Sequence, residues 1–69
     1  MGSPDDVAEL ADLLRETDQQ HAAFEARAPK HDWWDWYAAY IDARLQGSSP
    51  EAAAVAAERY MADVKHIVA

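Results

Sequence analysis

The chain has 69 residues, and its 13 Asp and Glu against 6 Lys and Arg give a formal net charge of -7. This length holds one domain and excludes a two-domain nucleotide-binding enzyme or a (β/α)₈ barrel, and the absence of cysteine excludes disulfides, cysteine-ligated zinc and a thiol nucleophile. The acidity disfavours nucleic acid and anionic membranes as partners, no apolar run is long enough to span a bilayer, and no signal peptide is visible, so we expect a cytoplasmic protein.

The first predicted helix covers residues 4–28. Ser3 is suited to cap it and Pro4 to occupy its first position. At 1.5 Å per residue it reaches roughly 37 Å, so we expect it to overhang the other helices, to bend, or to pack against a second copy of the chain. A three-four spacing predicts one packing face along its length. That face comprises Val7, Leu10, Leu14, Thr17, His21, Phe24 and Ala28.

The second predicted helix covers residues 32–46, with Asp32 as its N-cap and Gly47 after its end. Its three tryptophans lie within four residues and point in three directions, so one packed monomer cannot bury all of them. The aromatic cluster predicts either a core with a homodimer interface or a surface that binds a flat or cationic ligand by stacking and cation–π contacts. The candidate residues are Trp33, Trp34, Trp36, Tyr37, Tyr40 and Asp35.

The third predicted helix covers residues 50–67, after the start signal Ser49-Pro50-Glu51. Small alanines early in this helix would let a bulky neighbour approach closely. The sequence has no strand pattern, and connectors of two to four residues favour antiparallel neighbours. We therefore predict an all-α fold, either a three-helix up-down-up bundle or a helical hairpin with a third helix, completed by homodimerisation.

A weak metal-binding pattern occurs near the end of the first helix. His21 and Glu25 lie one helical turn apart, and His31 follows shortly after; two histidines with carboxylates suit Zn or Fe. The alternative is that His21 is a hydrogen-bonded core residue. No nucleophile, paired acid and base, or Gly-rich phosphate loop is evident, so we expect no enzymatic activity and no cofactor.

One segment carries a family resemblance. Residues 31–41, HDWWDWYAAYI, together with LADLLRE at 10–16 and Arg59-Tyr60-Met61, resemble a family of short actinobacterial proteins. Its members are often filed as bleomycin resistance or glyoxalase-like proteins, or as hypothetical proteins. The resemblance brings no functional residues, and it brings no fold, because glyoxalase-like domains are built from βαβββ modules. It implies a cationic ligand with planar aromatic rings, which an acidic chain with clustered tryptophans is suited to bind.

These features lead to three expectations for function. The leading one is a small, acidic, non-enzymatic helical interaction module that self-associates as a homodimer. The second is a protein that sequesters a cationic aromatic small molecule. The third is a helical protein that binds a metal through His21, Glu25 and His31.

Overall fold

The computed structural model describes residues 4–68 of the chain, and the side chains of residues 6–68. Three helices occupy most of this range: α1 is Pro4–Glu25, α2 is Trp33–Leu45 and α3 is Pro50–Asp63. The described residues form no strand. The expected all-α, three-helix fold is confirmed.

Two helices end earlier than the sequence pattern predicts. α1 ends at Glu25 rather than at residue 28, in a tighter turn in which the amides of Arg27 and Ala28 both donate to the Phe24 carbonyl at 3.0 Å. Pro29 follows directly, and the residue before a proline is disfavoured in helical geometry. α2 is one residue shorter at each end than the predicted 32–46.

The largest error is at the end of α3, which stops at Asp63 rather than at residue 67. The chain reverses there, because the Ile67 amide donates to the Met61 carbonyl at 2.9 Å and His66 has a φ of 60°. Ile67 thereby packs against the core although it is not helical. Ile67, which the apolar spacing placed on the packing face of a longer helix, thus reaches the core because the chain folds back after α3.

The helix caps agree in part with the sequence. Ser49 accepts a hydrogen bond from the Ala52 amide at 3.2 Å, and Gly47 has a φ of 103°, which suits the position after a helix end. Asp32 takes the extended backbone of an N-cap, but its side chain makes no capping hydrogen bond. The predicted cap Ser3 lies outside the described residues.

The core lies mainly between α2 and α3. Trp36 and Tyr40 stack with ring centroids 5.2 Å apart and an angle of 13° between their planes. Small side chains on the facing helix let these rings approach, as the sequence predicted. The fully buried apolar residues are Phe24, Trp36, Tyr40, Ala53, Ala57 and Met61.

α1 runs antiparallel to α2 and packs on it only through its second half. It has 22 residues against 13 in α2, so about 13 Å of helix extends past the end of its neighbour. The radius of gyration is 12.4 Å, against about 11 Å for a compact chain of this length. The accessible surface is 4757 Å², against about 4,300 Å² for a compact monomer of this mass. The molecule is therefore elongated, with more surface in water than its mass requires.

Among the described residues, no helix combines the length and the apolar character needed to cross a bilayer.

Candidate functional site

The apolar face of α1 is buried in one half of the helix and exposed in the other. The exposed fractions are 64% for Val7, 54% for Leu10 and 45% for Leu14, and they drop to 0% at Thr17, 5% at His21 and 1% at Phe24. The change comes where α2 ends. The residues of one continuous face thus meet α2 at one end of the helix and water at the other.

The exposed half of this face borders a shallow hollow. The hollow has a volume of about 190 Å³ and lies between α1 and the last residue of α2. Leu45, at that end of α2, is 74% exposed. We call this hollow together with the exposed stripe the α1 surface; its residues are Asp6, Val7, Glu9, Leu10, Leu13, Leu14 and Leu45.

Acidic side chains border the α1 surface. Asp6, Glu9 and Asp12 lie on this part of the helix, and Arg15 is its one basic residue, pairing with Asp12 at 2.8 Å. Apolar residues at helical spacing within a polar margin are the arrangement by which one helix packs on another. The surface is therefore suited to contact with another helix.

A polar cluster fastens α1 to α2 just beyond the exposed half. The Glu16 carboxylate accepts hydrogen bonds from the Tyr40 hydroxyl at 2.5 Å and from Arg44 Nε at 2.7 Å, while Arg44 Nη1 donates to the Ser48 carbonyl at 2.9 Å. Hydrogen bonding from Arg44, and then from Tyr40, holds the pKa of Glu16 below 4.5. Burial, and then the bond to Glu16, raises the pKa of Tyr40 to about 12. This cluster fixes the point from which α1 projects.

The predicted aromatic candidates do not share one pocket. Trp36 and Tyr40 are fully buried in the core, and Trp36 Nε1 has no hydrogen-bond partner. Trp33 and Trp34 are more than half exposed and pack edge to face, with ring centroids 5.7 Å apart. The ring centroids of Trp33 and Tyr37 are 5.0 Å apart, so these two side chains share a helix face as their spacing predicts.

The polar side-chain atoms of the two remaining candidates, Tyr37 and Asp35, have partners within the chain. The Tyr37 hydroxyl donates to Asp18 at 2.7 Å, and burial, followed by this hydrogen bond, raises its pKa to about 12. Asp35 lies 3.4 Å from Lys65 Nζ, which ties α2 to the segment after α3. Of the six candidates, only Trp33 and Trp34 form an exposed aromatic patch.

The structure brings the two candidate metal-binding histidines together. His21 Nε2 and His31 Nε2 are 3.1 Å apart, and Glu25 lies 3.9 Å from the other nitrogen of His21. Burial lowers the pKa of His21, which favours the neutral form of its ring. Within the described residues, no group of three or more histidine, cysteine or acidic side chains is arranged to hold a metal ion.

Sequence reasoning missed the Glu16–Arg44 anchor and the role of Leu45. Arg44 is the single basic residue of α2, and Glu16 lies on the margin of the buried half of α1; their pairing depends on how the two helices are aligned. Comparison with known proteins finds no matching family model, no matching curated protein and no matching solved structure.

Proposed function

We propose that this protein is a small, non-enzymatic interaction module that pairs with a second copy of itself through the α1 surface. The observation that supports this most directly is that the packing face of α1 continues for two further turns beyond α2, where Val7, Leu10 and Leu14 are 64%, 54% and 45% exposed. A heptad-like stripe with nothing packed on it is the usual contact face of paired helices.

An antiparallel pairing of two α1 helices suits the residues present. With Leu10 near the two-fold axis, Val7 and Leu14 lie on the same face of the helix and contact the second copy on either side of it. Leucines of the second copy would enter the hollow beside Leu13 and Leu45. Burying these side chains supplies the free energy of association, at about 25 cal/mol per Å² of apolar surface.

The charges set the orientation of this pair. In the antiparallel arrangement, the acidic first turns of the two copies, where Asp6 lies, are at opposite ends of the pair. A parallel arrangement would place those acidic turns side by side. Because each chain carries a formal charge of -7, added salt should strengthen the dimer by screening the net repulsion.

Sedimentation equilibrium over a range of concentrations tests the proposal. The expected result is a reversible shift from 7.7 kDa toward twice that mass as concentration rises. Leu10→Glu should abolish the shift while the cooperative urea unfolding of the buried core persists, because Leu10 is 54% exposed and lies outside that core. Val55→Glu is the matched control, since Val55 is 56% exposed on α3 and the change adds the same charge elsewhere. A single 7.7 kDa species at every concentration would contradict the proposal.

A second candidate function, sequestration of a cationic aromatic small molecule, is favoured by the exposed Trp33–Trp34 pair. Stacking and cation–π contacts with these rings would supply affinity for a planar cation. Titration with ethidium, a planar aromatic cation, should quench tryptophan fluorescence in the parent protein and much less in the Trp33→Ala, Trp34→Ala double variant. Equal quenching in both proteins would exclude this patch as the site.

A further inference from the structure

The protonation of the histidine pair can be worked out from its hydrogen bonds. His31 Nδ1 lies 2.8 Å from the Pro29 carbonyl oxygen, which can only accept, so Nδ1 carries a proton, and in the neutral ring His31 Nε2 has a free lone pair. His21 Nε2–H therefore donates to His31 Nε2 across 3.1 Å. This leaves the bare Nδ1 of His21 facing the Glu25 carboxylate at 3.9 Å, two acceptors with no proton between them.

The geometry points to a metal site: we propose that His21 and His31 bind one divalent transition-metal ion of the zinc type through their Nε2 atoms. Two nitrogens that each lie 2.0–2.1 Å from a tetrahedral ion are separated by about 3.3 Å. The pair is 3.1 Å apart and needs to open by only roughly 0.2 Å, the difference from that tetrahedral separation. Neutral imidazole nitrogen is a preferred ligand of Zn²⁺, Cu²⁺ and Ni²⁺.

The groups around the pair are those that orient metal-bound histidines. A ligating histidine commonly donates its other ring N–H to a carbonyl or a carboxylate. His31 already donates Nδ1–H to Pro29. When Nε2 of His21 binds the ion, the ring proton moves to Nδ1, where Glu25 can accept it. The Glu25 carboxylate is 3.9 Å from His21 Nδ1, so this exposed side chain must move closer to form the hydrogen bond.

The ring packing holds both side chains in place and leaves one of them accessible. The centroid of the His21 ring lies 5.4 Å from that of Trp36 and 5.2 Å from that of Tyr37, and the centroids of His31 and Phe24 are 5.1 Å apart. His31 also lines an open hollow of about 540 Å³, through which an ion and its remaining water ligands can enter. Two lysines line the same hollow, one of which, Lys65, pairs with Asp35.

Titration of the metal-free protein tests the site. Zn²⁺ is added in a calorimeter, and Co²⁺ is added while the visible absorption of tetrahedral cobalt is recorded. The expected result is one ion per chain and affinity at least tenfold weaker in His31→Gln. His66→Gln, which changes the third histidine of the chain, is the matched control and should bind as the parent does.

Glu25→Ala provides an independent variant, because Glu25 is exposed and its replacement leaves the core intact. Loss of the side-chain acceptor should weaken Zn²⁺ binding by about 10-fold to 100-fold. Absence of binding to the parent, or full binding retained in His31→Gln, would overturn the proposal and leave the pair as a hydrogen-bonded contact only. The readout is independent of the α1 surface, so neither proposal depends on the other.

Discussion

The Tyr40 hydroxyl, which belongs to a side chain fully buried in the core, donates its hydrogen bond to Glu16 on α1 at 2.5 Å. The same carboxylate accepts a hydrogen bond from Arg44 Nε, so one acidic group joins α1 to the aromatic core and to the end of α2. Further polar contacts of α1 join Asp18 to Tyr37 and His21 to His31. The charge of Glu16 therefore contributes to the attachment of α1 together with these contacts and the buried half of the helix.

Glu16→Gln should lower the free energy of unfolding at neutral pH by about 1.5–3 kcal/mol, because it removes hydrogen bonds made by a charged acceptor. Urea unfolding measures the change, with Glu9→Gln on the exposed half of α1 as the control. The pKa of Glu16 is held below 4.5 in the folded state, so its contribution is present above that pH and is lost as the pH falls through the folded value. The difference between variant and parent should therefore shrink below pH 4.5; a difference independent of pH would contradict this assignment.

Alkaline pH should destabilise the fold through two tyrosines. The pKa values of Tyr37 and Tyr40 are raised from 10 to about 12, so the folded state favours the neutral phenols. Their contribution to stability is complete below pH 10 and is lost as the pH rises toward 12. Unfolding followed by circular dichroism should show this loss, and Tyr40→Phe should reduce it. An identical alkaline transition in the variant would argue against a role for Tyr40.

Trp36→Ala should lower the free energy of unfolding by about 3–5 kcal/mol, because it empties the centre of the core. Trp34→Ala, at an exposed position two residues earlier, should change it by no more than about 0.5 kcal/mol. Thermal and urea unfolding of both variants give the comparison. Trp36→Phe should cost less than Trp36→Ala, since Trp36 Nε1 makes no hydrogen bond that phenylalanine would lose. Equal effects at positions 34 and 36 would contradict the burial pattern.

Gly47→Ala should destabilise the turn between α2 and α3 by about 1–2 kcal/mol through its backbone alone. Gly47 has a φ of 103°, and a Cβ placed there meets no atom within 4 Å, so no steric contact with a neighbour adds to the cost. Gly47→Asn should cost less, because asparagine tolerates positive φ better than alanine does. Chemical denaturation distinguishes the two variants, and an alanine variant as stable as the parent would show that the turn can change its conformation.

Helix periodicity and cap residues were sufficient to predict the three helices, because each local signal agrees with the packing. The spacing also placed Val7, Leu10 and Leu14 on the face that later buries Thr17 and Phe24. Which of these residues meet water could not be read from spacing, because it depends on the alignment of α1 with the shorter α2. The end of α3 was misjudged for a related reason, since Ile67 reaches the core by chain reversal.

The aromatic cluster shows a different limit. Three tryptophans on one helix turn cannot all face inward, and this much follows from the sequence. Trp36, rather than Trp33 or Trp34, is the buried tryptophan because it faces α3, which presents the small residues Ala53 and Ala57 to the core. The approach of His21 to His31 depends on the Pro29 carbonyl, which turns the His31 ring. Hydrogen bonds to backbone carbonyl groups such as this one cannot be predicted from the spacing of side-chain types.

If two copies pair through the α1 surface as proposed, the overhang of α1 makes the order of its first turns depend on both molecules. Helical segments much shorter than about 12 residues are marginal in water without tertiary contacts, and the half of α1 ahead of Leu14 has few of them. Its helix is held by continuity with the anchored half and, in the proposed pair, by the second copy. Assembly would then be coupled to the completion of folding, so helix content would depend on the concentration of the protein as well as on its sequence.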